Sequence, residues 1–195
     1  MRVFIVFAHP KDDSFNAALL DELVEGLLEA GHETDVADLY AEGFDPALRG
    51  YEWDQMGSGE PGPVVRAYQE RLSAAQGVAF VFPVWWFGPP AMIKGFVDRV
   101  FTEQFAFRFT DGGMVEGLLN HSKALVLNTA GASEAAYLAF GFHKPLHKTF
   151  CDWTLRLCGV KEVRQVLLKG MTHADEATRA RYLQGARTLG REFFG

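Results

Sequence analysis

The stretch that decides the fold is Phe82-Pro83-Val84-Trp85-Trp86-Phe87-Gly88-Pro89-Pro90. It ends an apolar run, 77–84, that is short and rich in β-branched and aromatic residues, as is typical of a buried strand. Three aromatic residues then stand where a loop, normally polar, is expected. In open α/β sheets ligands bind just past the carboxyl ends of the strands. The stretch therefore predicts an exposed aromatic surface that a planar cofactor covers.

Strand and helix signals alternate along the rest of the chain. The apolar run 2–8 is followed by leucines at helical spacing, which begin after a candidate N-cap, Ser14, and stop at Gly31. Further strands are predicted at 33–39, 77–84, 123–129 and 162–168, and further helices at 63–75, 89–100, 141–158 and 174–194. These units predict an α/β domain whose parallel sheet has helices on both faces. No linker divides residues 1–195, so we expect a single domain.

Two long segments, 40–62 and 101–122, carry no clear periodicity. Both exceed the ~12–15 residues of ordinary connections, so we expect them to form functional surfaces. Four phenylalanines in the second segment fit either the core or a contact between two copies of the chain: Phe101, Phe105, Phe107 and Phe109.

Composition excludes several classes of protein. No apolar run approaches the ~18 residues that span a bilayer, and the first strand is too short for a signal peptide, which predicts a cytoplasmic protein without integral membrane association. A net charge of −6 argues against nucleic-acid binding. Cys151 and Cys158 would lie roughly 10 Å apart along a helix, too far for a disulfide. Their spacing also fits no metal site, so we expect buried thiols and no metal.

The first strand-to-helix turn, 8–16, is the candidate phosphate site. It contains neither Gly-x-Gly-x-x-Gly nor Gly-Lys-Ser/Thr, which disfavours a dinucleotide-binding turn and a phosphate-loop NTPase. Ser14 and Asn16 open the helix, where free N–H groups attract phosphate oxygens. A simple N-cap role for Ser14 is an equally good interpretation, and two adjacent aspartates would repel a phosphate. His9 could donate a hydrogen bond either to a pyrophosphate or to a carbonyl oxygen of the turn.

Small residues follow the fourth predicted strand, in the run Asn128-Thr129-Ala130-Gly131-Ala132-Ser133. They allow backbone N–H groups to approach a flat polar ring system such as a flavin. Tyr137 and His143 come next, in what we expect to be a loop at the same end of the sheet. A phenol and an imidazole there could stabilise negative charge and move a proton, although each residue alone is more often structural.

In ordered blocks over almost its whole length, the chain resembles the flavodoxin-like NAD(P)H:quinone oxidoreductases, also called DT-diaphorases. The resemblance implies a flavodoxin-like three-layer sandwich, with a five-stranded parallel sheet of order 2-1-3-4-5 and helices on both faces. The blocks are His9-Pro10, Ser14-Phe15-Asn16, Asp38-Leu39-Tyr40, Phe44, Pro46, Phe82-Pro83, Trp86-Phe87-Gly88, Pro90-Ala91, Lys94-Gly95, Arg99-Val100-Phe101, Thr129, Gly131, Tyr137 and His143.

The resemblance also implies a flavin cofactor, FAD with FMN as the alternative, and NAD(P)H as co-substrate. Residues that would hold the phosphate-bearing tail of the flavin are His9, Ser14, Phe15 and Asn16. Those that would line its ring are Pro83, Val84, Trp85, Trp86 and Phe87, and those that would meet its polar edge are Thr129, Ala130 and Gly131. Tyr137 and His143 fall on the pair that assists hydride transfer in the family. Arg179 and Arg181 are candidates for a basic residue near the adenosine half of FAD.

The expected reaction is a ping-pong transfer of two electrons, in which NAD(P)H and then a quinone occupy one stacking position by turns. Family members are homodimers with the site at the subunit junction, so we expect a homodimer here. Three other functions stay open. They are a flavin-binding regulatory subunit of a glutathione-gated potassium-efflux system with secondary reductase activity, an electron-carrier flavodoxin, and an azoreductase or nitroreductase. The sequence does not decide between NADH and NADPH, nor does it identify the physiological acceptor.

Overall fold

The computed structural model describes residues 1–58, 60–141 and 143–195, apart from the side chains of residues 56–58 and 143. Strands and helices alternate as the sequence predicts. In chain order the elements are β1 (Arg2–Phe7), α1 (Phe15–Glu29), β2 (Glu33–Asp38), α2 (Gly50–Ser58), α3 (Pro63–Ser73), β3 (Gly77–Pro83), α4 (Ala91–Val100), β4 (Phe107–Phe109), β5 (Val115–Gly117), β6 (Lys123–Thr129), α5 (Glu134–Phe140), α6 (His143–Leu146), a π-helical segment (His147–Arg156), β7 (Glu162–Leu168), a 3₁₀ turn (Met171–His173) and α7 (Glu176–Phe193).

The central sheet has five strands in the order β2-β1-β3-β6-β7, and every neighbouring pair is parallel. This order confirms the predicted 2-1-3-4-5 arrangement. All residues of β3 are buried, because its continuous apolar sequence suits a strand covered on both faces. The chain winds to one side of β1 to form β2 and to the other side to form β3. This reversal opens a crevice at the carboxyl ends of β1 and β3, where ligands bind in such sheets.

Each face of the sheet carries its own hydrophobic core, since successive strand residues point to opposite sides. On one side α1 and α7 cover residues such as Ile5 and Val81. On the other side α3, α4 and the π-helical segment cover residues such as Phe4 and Phe80. The contact between α1 and α7 needs glycine, because a Cβ added at Gly26 would lie 2.0 Å from the Arg187 carbonyl oxygen.

The helix ends follow the signals in the sequence. Ser14 is the N-cap of α1, and its hydroxyl oxygen accepts a hydrogen bond from the Ala17 N–H at 3.1 Å. Gly31 follows the end of α1 with a φ of 75°, a left-handed conformation that glycine adopts without strain. Pro90 is the N-cap residue of α4. In the described ranges, no helix has both the length and the apolar character needed to cross a bilayer.

The structure corrects the prediction for residues 134–158. A loop was expected around Tyr137, but the structure has the helix α5 there. The Ser133 hydroxyl caps the start of this helix by accepting a hydrogen bond from the Ala136 N–H at 3.3 Å. Gly141, with a φ of 67°, ends it. The single helix predicted at 141–158 is instead α6 followed by π-helical turns. The sequence misleads because α5 is short and its small residues show no periodic apolar face.

Both long segments without periodicity contain regular structure. Residues 40–62 include α2, and residues 101–122 include the antiparallel hairpin of β4 and β5. The two cysteines are free and buried, as predicted. Burial raises the pKa of the Cys151 thiol to about 12 and that of Cys158 to about 11, so both are protonated and unreactive at neutral pH.

Candidate functional site

The candidate site lies where the loops that follow β1, β3 and β6 meet at the carboxyl edge of the sheet. Backbone hydrogen bonds hold these loops side by side beyond the strands. The Val84 N–H donates to the Thr129 carbonyl oxygen at 2.7 Å, and the Ala130 N–H donates to the Leu168 carbonyl oxygen at 2.8 Å. The crevice therefore has a fixed backbone frame.

The turn Trp85–Gly88 presents the aromatic surface that the sequence predicts. Trp85 and Gly88 exchange two backbone hydrogen bonds of 3.1 Å each. Between them Trp86 and Phe87 have φ values of 50° and 63°, a left-handed conformation that costs a non-glycine residue roughly 1–2 kcal/mol. The Trp86 side chain is 96% exposed, and those of Trp85 and Phe87 are 42% and 40% exposed. Strain combined with exposed aromatic rings is typical of a binding site.

The first turn brings His9 and Ser14 to the same edge. His9 Nδ1 lies 3.1 Å from both the Lys11 N–H and the Lys11 carbonyl oxygen, so the backbone of the turn holds the imidazole ring in place. The His9 ring centroid is 6.4 Å from that of Trp85. For Ser14 the capping interpretation is confirmed, and phosphate binding stays a prediction.

Two of the predicted cofactor-binding side chains bind each other. Asn16 Nδ2 donates to Thr129 Oγ1 at 3.0 Å, and the Thr129 hydroxyl donates to Asn16 Oδ1 at 3.2 Å. Both residues are buried. This pair joins the start of α1 to the end of β6 and fixes the distance between the two loops. Sequence reasoning named both residues but did not foresee their pairing.

Phe15 and Arg179 connect the first turn to the segment after β7. The Arg179 guanidinium lies 5.4 Å from the Phe15 ring centroid, a cation–π contact. It also donates to the carbonyl oxygens of Ala174 and Met171 at 3.1 and 3.2 Å. Arg179 thus fixes the segment 171–174 against α1.

The small-residue loop after β6 lies close to this segment. The Met171 N–H donates to the Ala130 carbonyl oxygen at 3.0 Å, so both backbone polar groups of Ala130 are engaged within the protein. A Cβ added at Gly131 would lie 2.8 Å from Thr172 Oγ1, so the Thr172 side chain would have to move to make room for it. The exposed backbone of Gly131 is the part of the loop that a ligand can approach.

Tyr137 projects from α5 toward the aromatic turn. Its ring centroid is 6.2 Å from that of Phe87, in an edge-to-face arrangement. Burial raises the pKa of the Tyr137 phenol, so it remains a hydrogen-bond donor at neutral pH. His143 is the first residue of α6, and its side chain lies outside the described part of the structure. The structure thus places one member of the predicted catalytic pair beside the predicted ring-binding surface.

A polar network anchored on the buried Asn128 lies next to the site and was not foreseen. Asn128 Nδ2 donates to the Phe82 carbonyl oxygen at 3.3 Å, and Gln165 Nε2 donates to Asn128 Oδ1 at 3.0 Å. His147 Nδ1 lies 3.1 Å from Gln165 Oε1. The sequence did offer one signal for this network, because Asn128 is a polar residue near the end of a largely apolar strand, and a buried polar side chain needs hydrogen-bond partners.

Known proteins resemble the chain over nearly all of its length. A family model described as a flavodoxin-like fold matches residues 1–189. The chain is 32% identical to NAD(P)H dehydrogenase (quinone) 1 of Cavia porcellus, over 94% of this chain and 74% of that protein. It is 29% identical to an uncharacterized NAD(P)H oxidoreductase of Haemophilus influenzae, over 92% of this chain and 89% of that protein. A solved NAD(P)H:quinone oxidoreductase from Methanothermobacter marburgensis superposes with a TM-score of 0.92 at 35% identity, covering 99% of this chain and 98% of that one.

Proposed function

The chain belongs to the flavodoxin-like family that includes these quinone oxidoreductases, and from this premise we propose that it is a flavin-dependent NAD(P)H:quinone oxidoreductase. The relatives are named as enzymes that use NAD(P)H and quinones, and we propose the same reductant and the same class of acceptor for this chain. The observation that carries the proposal is the strained turn Trp85–Gly88, which holds a Trp86 side chain that is 96% exposed. Such a surface is costly in water unless a flat apolar ligand covers it.

The residues at the site suit a flavin. Exposed rings of the turn can stack on its ring system, and the backbone of Gly131 is open to its polar edge. The His9 ring and the first N–H groups of α1 are candidate donors for its phosphate-bearing tail. When bound, a flavin accepts a hydride from NAD(P)H and passes two electrons to the quinone. We propose FAD as the cofactor, with FMN as the alternative.

The protein contributes orientation and charge stabilisation. The protonated Tyr137 phenol can donate a hydrogen bond to negative charge that develops beside Phe87. We propose that His143 holds the proton that balances this charge, as the family resemblance implies. NAD(P)H and the quinone would occupy one stacking position on the flavin by turns, in a ping-pong reaction.

We further propose that the enzyme is a cytoplasmic homodimer with the site at the subunit junction. Several large apolar side chains lie exposed on α2 and the β4–β5 hairpin, among them Trp53 at 68% and Met114 at 71%. Exposed aromatic and methionine side chains of this kind are enriched at protein interfaces. Two buried free thiols suit a reducing compartment.

Absorbance of the purified protein tests the proposal, followed by mass spectrometry of the released chromophore. We expect a flavin spectrum and the mass of FAD. With NAD(P)H and a quinone, we expect the parallel double-reciprocal plots of a ping-pong enzyme, whereas an electron carrier would show no comparable turnover. Replacing the quinone with azo or nitro compounds compares the acceptor classes. A colourless protein that takes up neither FAD nor FMN would contradict the proposal.

A matched pair of tryptophan variants tests the aromatic turn. Trp86→Ala removes the exposed ring of the turn and should weaken flavin binding by about tenfold, the effect of one aromatic stacking contact. Trp153 is an exposed tryptophan on the π-helical segment, so Trp153→Ala is the control and should bind flavin as the unaltered protein does. Equal affinities in the two variants would remove Trp86 from the site.

A further inference from the structure

A second cavity lies beside the proposed site, between α6, the π-helical segment and the end of β7. Its volume is about 850 Å³. We call it the basic pocket, and its polar lining consists of Lys144, His147, Lys148, Asp152, Gln165 and Lys169. This volume lies within the range of pockets that bind small molecules and cofactors.

The charge of the basic pocket is opposite to that of the whole chain. The chain has a net charge of −6, yet three lysines line this cavity against one aspartate. Lys148 pairs with Asp152 at 3.2 Å, an aspartate that Arg156 also contacts, and Lys169 pairs with the exposed Glu134 at 3.1 Å. Among the described residues, Lys144 has no ion-pair partner within 4.0 Å. Lys144 is therefore the cation that an anionic ligand would pair with first, and the positive charges nearby would add to the attraction.

The wall of the basic pocket is built from unusual backbone and a fixed hydrogen-bond network. π-Helical turns are rare and often mark functional sites, and here they carry His147, Lys148 and Asp152. His147 Nδ1 is held by Gln165 Oε1, and Gln165 is held by the buried Asn128. The network holds this wall of the pocket in place, so the wall itself would lose little conformational entropy when a ligand binds.

The basic pocket also adjoins the proposed flavin site. Lys144 directly follows His143, and Asn128 directly precedes Thr129. Lys169 follows Leu168, whose carbonyl oxygen accepts from the Ala130 N–H at 2.8 Å. A ligand that reaches from the flavin site across the end of β7 would therefore place its far end among these lysines.

We propose that the basic pocket binds the phosphorylated adenosine end of NADPH, with Lys144, Lys148 and Lys169 directed at the 2′-phosphate, so that the enzyme prefers NADPH to NADH. The identity of this ligand rests on the proposed function, which supplies a nicotinamide dinucleotide as reductant. Lysine ammonium groups form charge-assisted hydrogen bonds with phosphate oxygens, and the 2′-phosphate is the group that distinguishes NADPH from NADH.

Calorimetric titration of the full-length protein with adenosine 2′,5′-bisphosphate tests the proposal without requiring flavin or turnover. We expect binding that weakens with added salt, and at least tenfold weaker binding of 5′-AMP, because that ligand lacks the 2′-phosphate. Lys144→Gln should weaken bisphosphate binding by about tenfold. Lys161→Gln is the matched control, because Lys161 precedes β7 at the opposite edge of the sheet, and it should bind as the unaltered protein does.

Steady-state kinetics supply a second readout. In Lys144→Gln the ratio of KM for NADPH to KM for NADH should rise about tenfold, and in Lys161→Gln it should stay unchanged. Equal binding of bisphosphate and 5′-AMP, or equal effects of the two substitutions, would overturn the proposal. Competition by inorganic phosphate at the same affinity as the bisphosphate would also overturn it, since the pocket would then bind any phosphate. Protein that takes up neither FAD nor FMN but binds the bisphosphate would refute the proposed function and leave the pocket assignment standing.

Discussion

Trp86 and Phe87 carry the clearest mark of function at the scale of single residues. A two-residue turn with both φ values positive is normally made by Asn-Gly or a similar pair, because these residues tolerate the left-handed conformation. Here two bulky aromatic residues adopt it, at 50° and 63°. A flexible pair would serve the turn better if stability alone mattered. We infer that the strain persists because it directs these rings toward a ligand.

Tyr137 gives a prediction at the same scale. Tyr137→Phe keeps the ring beside Phe87 but removes the hydroxyl that would stabilise negative charge. We expect the rate of flavin reduction by NAD(P)H, measured by stopped-flow absorbance, to fall by about 10²-fold. Tyr68 is a buried tyrosine on α3 whose hydroxyl donates to Glu42, far from the proposed chemistry. Tyr68→Phe is therefore the control, and an unaltered rate in Tyr137→Phe would exclude a catalytic role for the hydroxyl.

At the scale of elements, a buried ion pair joins α2 to α4. Arg99 Nε lies 3.1 Å from both carboxylate oxygens of Glu52, and Arg99 Nη2 lies 2.5 Å from Oε1. The Arg99 guanidinium also lies 4.8 Å from the Phe44 ring centroid. Burial is the largest single influence and would raise the pKa of Glu52, but the hydrogen bonds from Arg99 and the Arg49 N–H, together with the Arg99 charge, outweigh it and hold that pKa below its ordinary value. This pair fixes the segment 44–58, which the sequence left without a predicted structure.

Substitution of Glu52 tests this connection. Glu52→Gln leaves the buried Arg99 charge without its counter-ion, so the free energy of unfolding in urea should fall by about 3–5 kcal/mol. Asp98→Asn, which breaks the exposed pair with Lys94, is the control and should cost less than about 1 kcal/mol. Similar losses in both variants would contradict a structural role for the buried pair.

The lowered pKa of Glu52 also predicts how stability depends on pH. A carboxyl whose folded pKa lies below its unfolded pKa stabilises the protein above the unfolded value, about 4.3 for Glu. That contribution is lost as the pH falls through the folded pKa. Between pH 7 and pH 3, values chosen to bracket the titration, the unaltered protein should therefore lose more stability than Glu52→Gln does. Parallel pH profiles would show that Glu52 does not titrate as the structure indicates.

The whole molecule presents more exposed aromatic surface than a lone copy needs. Tyr51 and Trp53 on α2 are 63% and 68% exposed, and α2 packs on the face of the sheet that α1 does not cover. We expect sedimentation equilibrium to give the mass of two chains. Trp53→Glu should shift the equilibrium toward one chain, because a charge in an apolar interface is costly. Leu28→Glu, on the half-exposed side of α1, is the control, and a protein that sediments as one chain at every concentration would refute the dimer.

Much of the fold was predictable because its signals are local. The apolar runs at 77–84 and 123–129, the cap at Ser14 and the stop at Gly31 each depend on a few adjacent residues, and each was located correctly. The failures were also local in origin. A helix as short as α5 has too few turns to show a period, and π-helical turns have no sequence pattern that separates them from an ordinary helix.

The sequence by itself determined the alternation of strands and helices, the buried strands and the position of the aromatic turn, because periodicity and turn chemistry act over a few residues. The tertiary structure alone decided which distant side chains meet. Asn16 and Thr129 are 113 positions apart, and Glu52 and Arg99 are 47 apart. The lysines of the basic pocket come from α6, the π-helical segment and the end of β7. Such contacts depend on strand order and helix packing, which involve the whole chain, and no short stretch of sequence encodes them.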